Sequence, residues 1–377
     1  MKRVDLLVVG AGIMGLAHAT LAAKAGKRVL VLERHPAAMG ASVRNFGMVW
    51  PVGQPPGELL NFALQSREIW LETLVDAGLW FDRCGSVQLA LDEIEAQVLG
   101  EFLEVSQTHG YRVHELPRQE LRQRYPLIRA EHCQRAIFSE TEVCVDPRQV
   151  IAELPGFLQE RYGVEFGFSE PALAIDGPIV TTSHRQIAAN RVVICPGEDF
   201  RTLYPGLLEE AGMTLCKLQM MRLEPSHAKG RLGTMVAGGL TLGHYGSFAI
   251  TPSYAELKAY HAERYAPCVE AGIHVMASQH AGTQVTVGDT HEYGPVHTPF
   301  TNETWDRLVL EYLNRMIQSQ DWKVANRWIG VYAKHADNPV VRLHPEPGVT
   351  VVGSPGGAGM TLSFGIAEQT IQQFGWL

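Results

Sequence analysis

The chain has 377 residues, 46% hydrophobic and 19% charged, with 32 Lys and Arg against 40 Asp and Glu for a formal net charge of -8. That length supports two lobes rather than one simple domain, and the acidic balance excludes a nucleic-acid surface, which requires clustered Lys and Arg. No window reaches about 18 uninterrupted apolar residues, so no transmembrane helix is expected.

The first predicted element is "VDLLVV" (4–9), a β-rich apolar run of the kind buried in a parallel sheet. Lys2-Arg3 ahead of it imitates the start of a secretion signal, but Asp5 interrupts the run and three glycines would break a helical signal core. Gly10-x-Gly12-x-x-Gly15 follows directly. A helix-forming segment, "IMGLAHATLAAKAG" (13–26), then stops at Gly26, and "RVLVLE" (28–33) is a second strand ending in Glu33. Strand, glycine turn, helix, strand and acid within about 30 residues make the dinucleotide-binding βαβ unit. Gly10 makes the tight turn, Gly12 lets a pyrophosphate approach the backbone, and Gly15 lets the helix pack close to the sheet. The helix start at Ile13 and Met14 offers N–H groups and a positive dipole end to phosphate. Glu33 is placed to accept hydrogen bonds from a ribose.

Further along, "SREIWLETLVDAGLW" (66–80) carries a helical core stripe, and Pro55-Pro56-Gly57 before it reads as a surface turn. "ANRVVICPGE" (189–198) is a third strand, ending in Pro196-Gly197. "HVMASQHAGTQVTVGD" (274–289) reads as a hairpin, with His274 and Met276 facing one way and Val275 and Ala277 the other. His274 is read there as a pocket candidate or a satisfied strand histidine. "ETWDRLVLEYLNRMIQ" (303–318) is a core helix. "GVTVVGSPGGAGMTLSFGIAEQTIQQF" (348–374) repeats the opening theme: strand 349–352, a loop with four glycines, and a helix from about Leu362. Two glycine turns from opposite ends of the chain, converging on one cofactor, point to FAD rather than to a simple NAD domain.

Six cysteines (Cys84, Cys133, Cys144, Cys195, Cys216 and Cys268) are scattered without a C-x-x-C pair, which fits reduced thiols in a cytoplasmic protein. The spacing His291-Glu-Tyr-Gly-Pro-Val-His297 is not an H-E-x-x-H helix, so no metal site is expected.

With "VVGAGIMG", Glu33-Arg34, "GASVRNFGM" (40–48), "VDP" (145–147), "ANRVVICPG" and "SPGGAGMTLSFG" (354–365), nearly the whole chain resembles the D-amino-acid oxidase superfamily, in its glycine oxidase and sarcosine oxidase branch. "NFGMVWPVGQPPG" (45–57), "TLGHYGSFAITPSY" (241–254) and "VGDTHEYG" (287–294) resemble a subgroup associated with bacterial phosphonate breakdown. The resemblance implies an α/β fold of two lobes. A Rossmann-like FAD-binding domain (1–80, 146–205 and 326–377) would join a substrate domain (81–145 and 206–325) built on a mainly antiparallel sheet. It implies that Ala41, Ser42, Asn45, Gly47 and Met48 line the pyrophosphate and isoalloxazine, Ala41 and Ser42 being equally readable as a helix cap. Ala172 would meet adenine, and Arg34, Pro196 and Gly197 the dinucleotide. Gly356, Gly357, Ala358, Gly359, Met360 and Thr361 would wrap the pyrimidine side of the ring, where backbone N–H groups stabilise reduced flavin.

Two departures from the family carry information. Members that link FAD covalently use a cysteine in the region matching "RWIGVYAKHADNPVV" (327–341), which has none, so FAD is expected to be non-covalent. Glycine oxidases place a carboxylate-clamping arginine in the same region, and here the matching residue is Val331. Candidate replacement anion partners are Lys334, His335, His244, Tyr245 and Arg44, and the substrate-pocket candidates are His244, Tyr245, His274, Tyr332, Lys334 and Thr361. The expected activity is hydride transfer from a small amine to flavin, with oxygen or another acceptor taking the electrons. The substrate is expected to be an aminoalkylphosphonate, with a glycine or sarcosine oxidase and a hydroxy-acid dehydrogenase as alternatives. A homodimer is compatible with the sequence.

Overall fold

The structure is a computed structural model describing residues 2–225, 231–353 and 355–377; Ser354, inside the C-terminal glycine segment, lies outside the described residues. The opening unit folds as its sequence predicts, with β1 (Lys2–Val9), α1 (Ile13–Lys24) and β2 (Val29–Glu33), β1 and β2 pairing in parallel. Helix α1 has almost no polar face because it is covered on all sides, with Leu16, Ala17, Ala19 and Ala22 fully buried. Its alanines allow the close approach, and Gly26, in the left-handed region at φ +73°, turns the chain into β2. Helix α2 (Glu58–Ala77) starts before the predicted residue 66, because Pro55-Pro56-Gly57 marks its beginning; it ends on left-handed Gly78.

Strand β3 (Gln186–Ile194) lies parallel to β1 on the side opposite β2 and extends the sheet to eight strands. All eight come from 2–33, 165–194 and 341–353. A second sheet of nine strands is built around β4 (Met213–Glu224). The predicted hairpin is β5 (Met276–Gln279) and β6 (Val285–Gly288), paired from Met276↔Gly288 to Gln279↔Val285. As the alternation requires, Val275 and Ala277 enter the core of this lobe, while His274 and Met276 face a cavity. Asp146, in the "VDP" stretch, caps the helix Pro147–Tyr162 by accepting from the amides of Arg148 and Gln149.

One boundary differs from the sequence division. Strand β7 (Lys323–His335) runs antiparallel to β4 along its whole length, from Met213↔His335 to Glu224↔Lys323, so residues 326–335 belong to the second sheet. Only after β7 does the chain return to the first sheet, through the short strand Val341–Leu343 and then β8 (Val349–Gly353), which is antiparallel to that strand and parallel to β3. The final helix α3 (Gly359–Gln373) starts at Gly359 rather than Leu362 and packs on α1 and α2. Among the described residues no helix is long and apolar enough to cross a membrane, and all six cysteines are free thiols.

Candidate active site

Between the two sheets lies a cavity of about 870 Å³, toward the upper end of the roughly 300–1,000 Å³ range of ligand sites. Its floor is the glycine turn after β1. Gly10 has φ +101°, and a Cβ there would lie 2.5 Å from the Cys195 carbonyl oxygen at the end of β3. A Cβ on Gly12 would stand 3.0 Å from Ser42 Oγ, and one on Gly15 1.9 Å from the Gly10 carbonyl oxygen. Gly10 and Gly12 therefore keep backbone on the cavity surface, while Gly15 sits behind it, where helix meets strand. Ser42 Oγ accepts from the Ile13 amide at 2.9 Å, and Glu33 accepts from the Ala11 amide at 3.0 Å and the His35 amide at 3.1 Å. Glu33 thus braces the turn as well as facing the cavity. Arg34 donates to Asp199; burial pushes the Asp199 carboxyl up, but hydrogen bonds from Thr202, Arg201 and Arg34 outweigh that and hold it at about 2.

Most of the residues singled out from sequence line this cavity: Gly10, Gly12, Ile13, Met14, Glu33, Arg34, Ala41, Ser42, Asn45, Met48, Ala172, Pro196, Gly197 and the run Gly356–Thr361. Gly47 does not. Its φ is +70° and a Cβ would lie 2.0 Å from the Val145 carbonyl oxygen, so it reverses the loop against the neighbouring strand instead of meeting a ligand. Asn45 locks the same loop, donating to the carbonyls of Ala41 and Ser42 and accepting from the Gly47 amide at 2.7 Å. Ala41 and Ser42 line the cavity as the start of a short 3-10 turn, Ala41–Val43, whose N-cap is Gly40, so neither caps that turn. Thr361 accepts from the Trp50 amide at 3.0 Å, joining this wall to α3.

The opposite wall comes from the second sheet and its loops. His244, Tyr245, His274, Tyr332 and Lys334 all reach the cavity, as does Val331. Sequence reasoning missed Trp50, Asp289 and His291, which join them, and Pro55, which lies in the cavity wall rather than on a surface turn. The stretch "VGDTHEYG" contained Asp289 and His291, but only the hairpin brings them beside His274. Ring centroids lie 3.9 Å apart for His244 and His274, 4.9 Å for His274 and His291, and 4.8 Å for His244 and His291. His291 Nδ1 is 2.9 Å from the Gly272 carbonyl oxygen, and His274 Nε2 is 3.2 Å from Asp289 Oδ1. Lys334 Nζ donates to the Tyr293 hydroxyl at 3.0 Å.

This wall disfavours charge. Desolvation holds His244 and His274 well below the ordinary imidazole value and His291 at about 4, and it lifts Asp289 well above the carboxylate range. His244 is exposed by area, but that area faces the cavity and its ring is hemmed in by Tyr245, His274 and His291, so desolvation still governs it. The cluster is neutral imidazole near pH 7, with nitrogen lone pairs available.

Residues 5–373 match the family described as FAD dependent oxidoreductase (DAO). The chain is similar to monomeric sarcosine oxidase of Arthrobacter sp. (strain TE1826), 24% identical over 204 residues, 52% of each chain. It is also similar to L-2-hydroxyglutarate dehydrogenase of Escherichia coli, 26% identical over 237 residues, 59% of this chain and 55% of that one. The match spans about half the length of these two curated relatives. The fold resembles that of glycine oxidase from Geobacillus kaustophilus with a TM-score of 0.77 and 19% identity, covering 99% of this chain and 94% of that one.

Proposed function

The chain belongs to the FAD dependent oxidoreductase family, and from that premise we propose that it oxidises the C–N bond of a small aminoalkylphosphonate, such as 2-aminoethylphosphonate or its N-methyl form. The products would be phosphonoacetaldehyde and the released amine, with water supplying the aldehyde oxygen. FAD fits the residues present. At the floor, Gly10 has no room for a Cβ and Gly12 carries none, which keeps backbone exposed to a pyrophosphate, and α1 begins there with only its Ile13 amide taken, by Ser42 Oγ, since its N-cap Gly12 has no side chain. Gly10 to Met14 would hold the pyrophosphate, Glu33 the ribose, Ala172 the adenine, and Ala41, Ser42, Asn45 and Met48 with Gly356 to Thr361 the ring system. When bound, FAD accepts a hydride from the substrate carbon.

The chain's own residues orient the substrate and exclude water. Met48, Met276 and Trp50 give the cavity apolar surface. The observation that carries the substrate reading is the opposite wall, where Val331 offers no carboxylate fork while the Lys334 ammonium and the Tyr245 and Tyr332 hydroxyls line the cavity beside three neutral imidazoles. A phosphonate has three acceptor oxygens and suits several separate donors better than one planar fork.

Anaerobic bleaching of the flavin followed by steady-state assays across 2-aminoethylphosphonate, its N-methyl form, sarcosine and glycine tests this reading. The aminophosphonates should give the highest kcat/KM; sarcosine or glycine matching them would restore a plain amino-acid oxidase. Readmitting air should reoxidise the flavin with one peroxide per turnover if oxygen is the acceptor. Acid precipitation should release all the yellow colour, since no cysteine lies in 327–341. A second reading, oxidation of a hydroxy acid, is favoured by the neutral imidazoles, which could take a hydroxyl proton. Bleaching by 2-hydroxyglutarate and not by any amine would select it.

A further inference from the structure

We propose that His244, His274 and His291 bind one divalent transition-metal ion of the zinc class, leaving a coordination position open to the cavity. The three come from separate segments, one following the turn at Gly239–Thr241, one ahead of β5 and one after β6. One ligand atom from each lies within 4.8 Å of those of the other two. Zinc–imidazole bonds of about 2.0–2.1 Å in a tetrahedron place nitrogens roughly 3.3 Å apart, so the rings need only close inward by small side-chain rotations.

The surroundings of the rings match a metal site better than a packing cluster. A carbonyl can only accept, so the Gly272 contact puts the proton of neutral His291 on Nδ1 and leaves the lone pair on Nε2. His274 has the Asp289 carboxyl beside Nε2, while its Nδ1 is buried without a hydrogen-bond partner. An imidazole backed by a carbonyl or carboxylate on one nitrogen, with the other left free, is the arrangement that orients metal-ligating histidines. Asp289 Oδ1 has only that 3.2 Å contact with His274, which falls short of hydrogen-bond geometry. Unpaired buried groups of this kind are rare and call for an explanation. A dication among them would use the lone pairs. Imidazole ligands suit zinc, copper, iron and nickel rather than magnesium or calcium.

The open position would take an anionic oxygen of the substrate, and only the identity of that anion rests on the function proposed above. The test uses tag-free, FAD-loaded protein purified without chelator. Elemental analysis and calorimetric titration of the dialysed protein with Zn²⁺ should give one ion per chain. His291→Ala and His274→Ala should abolish saturable uptake, and Asp289→Asn should weaken it by about tenfold to hundredfold, with flavin content unchanged throughout. His244→Ala alters the ring that faces the cavity and depends least on core packing, so it decides the matter if the buried variants do not fold. Absence of saturable Zn²⁺ uptake by the wild-type protein, or wild-type uptake by His244→Ala, overturns the site. Zinc uptake without aminophosphonate turnover supports the site while sinking the substrate reading. Aminophosphonate turnover in a protein that takes up no zinc sinks the site alone.

Discussion

The two walls of the cavity are built on opposite principles. The floor at Gly10–Gly15 works through backbone, and Gly10 and Gly12 lack side chains so that main-chain groups reach the surface. The opposite wall works through side chains, with imidazoles, hydroxyls and an ammonium carried in from residues 244, 274, 291, 332 and 334. A backbone site tolerates almost no added atoms; a side-chain site tolerates changed atoms but not lost ones. The two should therefore fail differently when altered.

The largest effect is expected at Gly15→Val. Its Cβ would meet the Gly10 carbonyl oxygen at 1.9 Å, a backbone clash that no rotamer relieves. A loss of about 3 kcal/mol or more should appear as a lower urea midpoint and protein without flavin. A yellow, normally stable Gly15→Val protein would break the contrast drawn between the walls.

The floor also holds a histidine, and it behaves as packing rather than chemistry. His18 in α1 is 0% exposed. Burial drops its pKa to about 4 from the ordinary 6.5. The unfolded chain takes up a proton below pH 6.5 while the folded chain does not until about pH 4, so stability falls as pH drops through that window. The loss from this residue is about 3 kcal/mol. Denaturant titrations at pH 7 and pH 4.5 should show that His18→Gln loses less stability on acidification than the wild type does.

At the opposite wall, Lys334→Met should leave flavin content and stability near wild type and raise KM for an aminophosphonate. Losing one hydrogen bond to a charged group, about 1.5–3 kcal/mol, corresponds to roughly tenfold to hundredfold. The smallest effect belongs to Ser42→Ala, which removes the acceptor of the Ile13 amide. About 1 kcal/mol of stability should be lost, measurable by the same denaturant titrations.

The contrast also explains what could be read in the sequence. The floor is one continuous stretch, because a βαβ unit closes on itself within 33 residues, and spacing alone identifies it. Gly47 was misplaced because a glycine in a flavin-facing stretch looks the same whether it meets the ligand or turns the chain. The histidine wall was legible only in pieces. His244, His274 and His291 lie tens of residues apart, and lone histidines at such spacings carry no periodic signal. The hairpin was predicted with its facing pattern, which aimed His274 correctly, but periodicity does not say that 289–291 folds back beside it. The same holds for β7, where the family pattern suggested a cofactor segment and the pairing with β4 placed residues 326–335 in the other sheet.

The order of strands in the first sheet has a consequence for synthesis. β1 and α1 are made before the elements that complete them: β1 needs β3 beside it, β3 needs β8, and α1 is covered by α3 from residues 359–373. Residues through about 373 must leave the ribosome before the turn at Gly10 can take a dinucleotide. A chain halted before residue 349 would expose the apolar helix α1 in a crowded cell, where such surfaces aggregate. Contacts this distant in sequence also make folding slow. The flavin site is thus completed late in translation, and loading with FAD would report that residues 349–373 have been made and have docked.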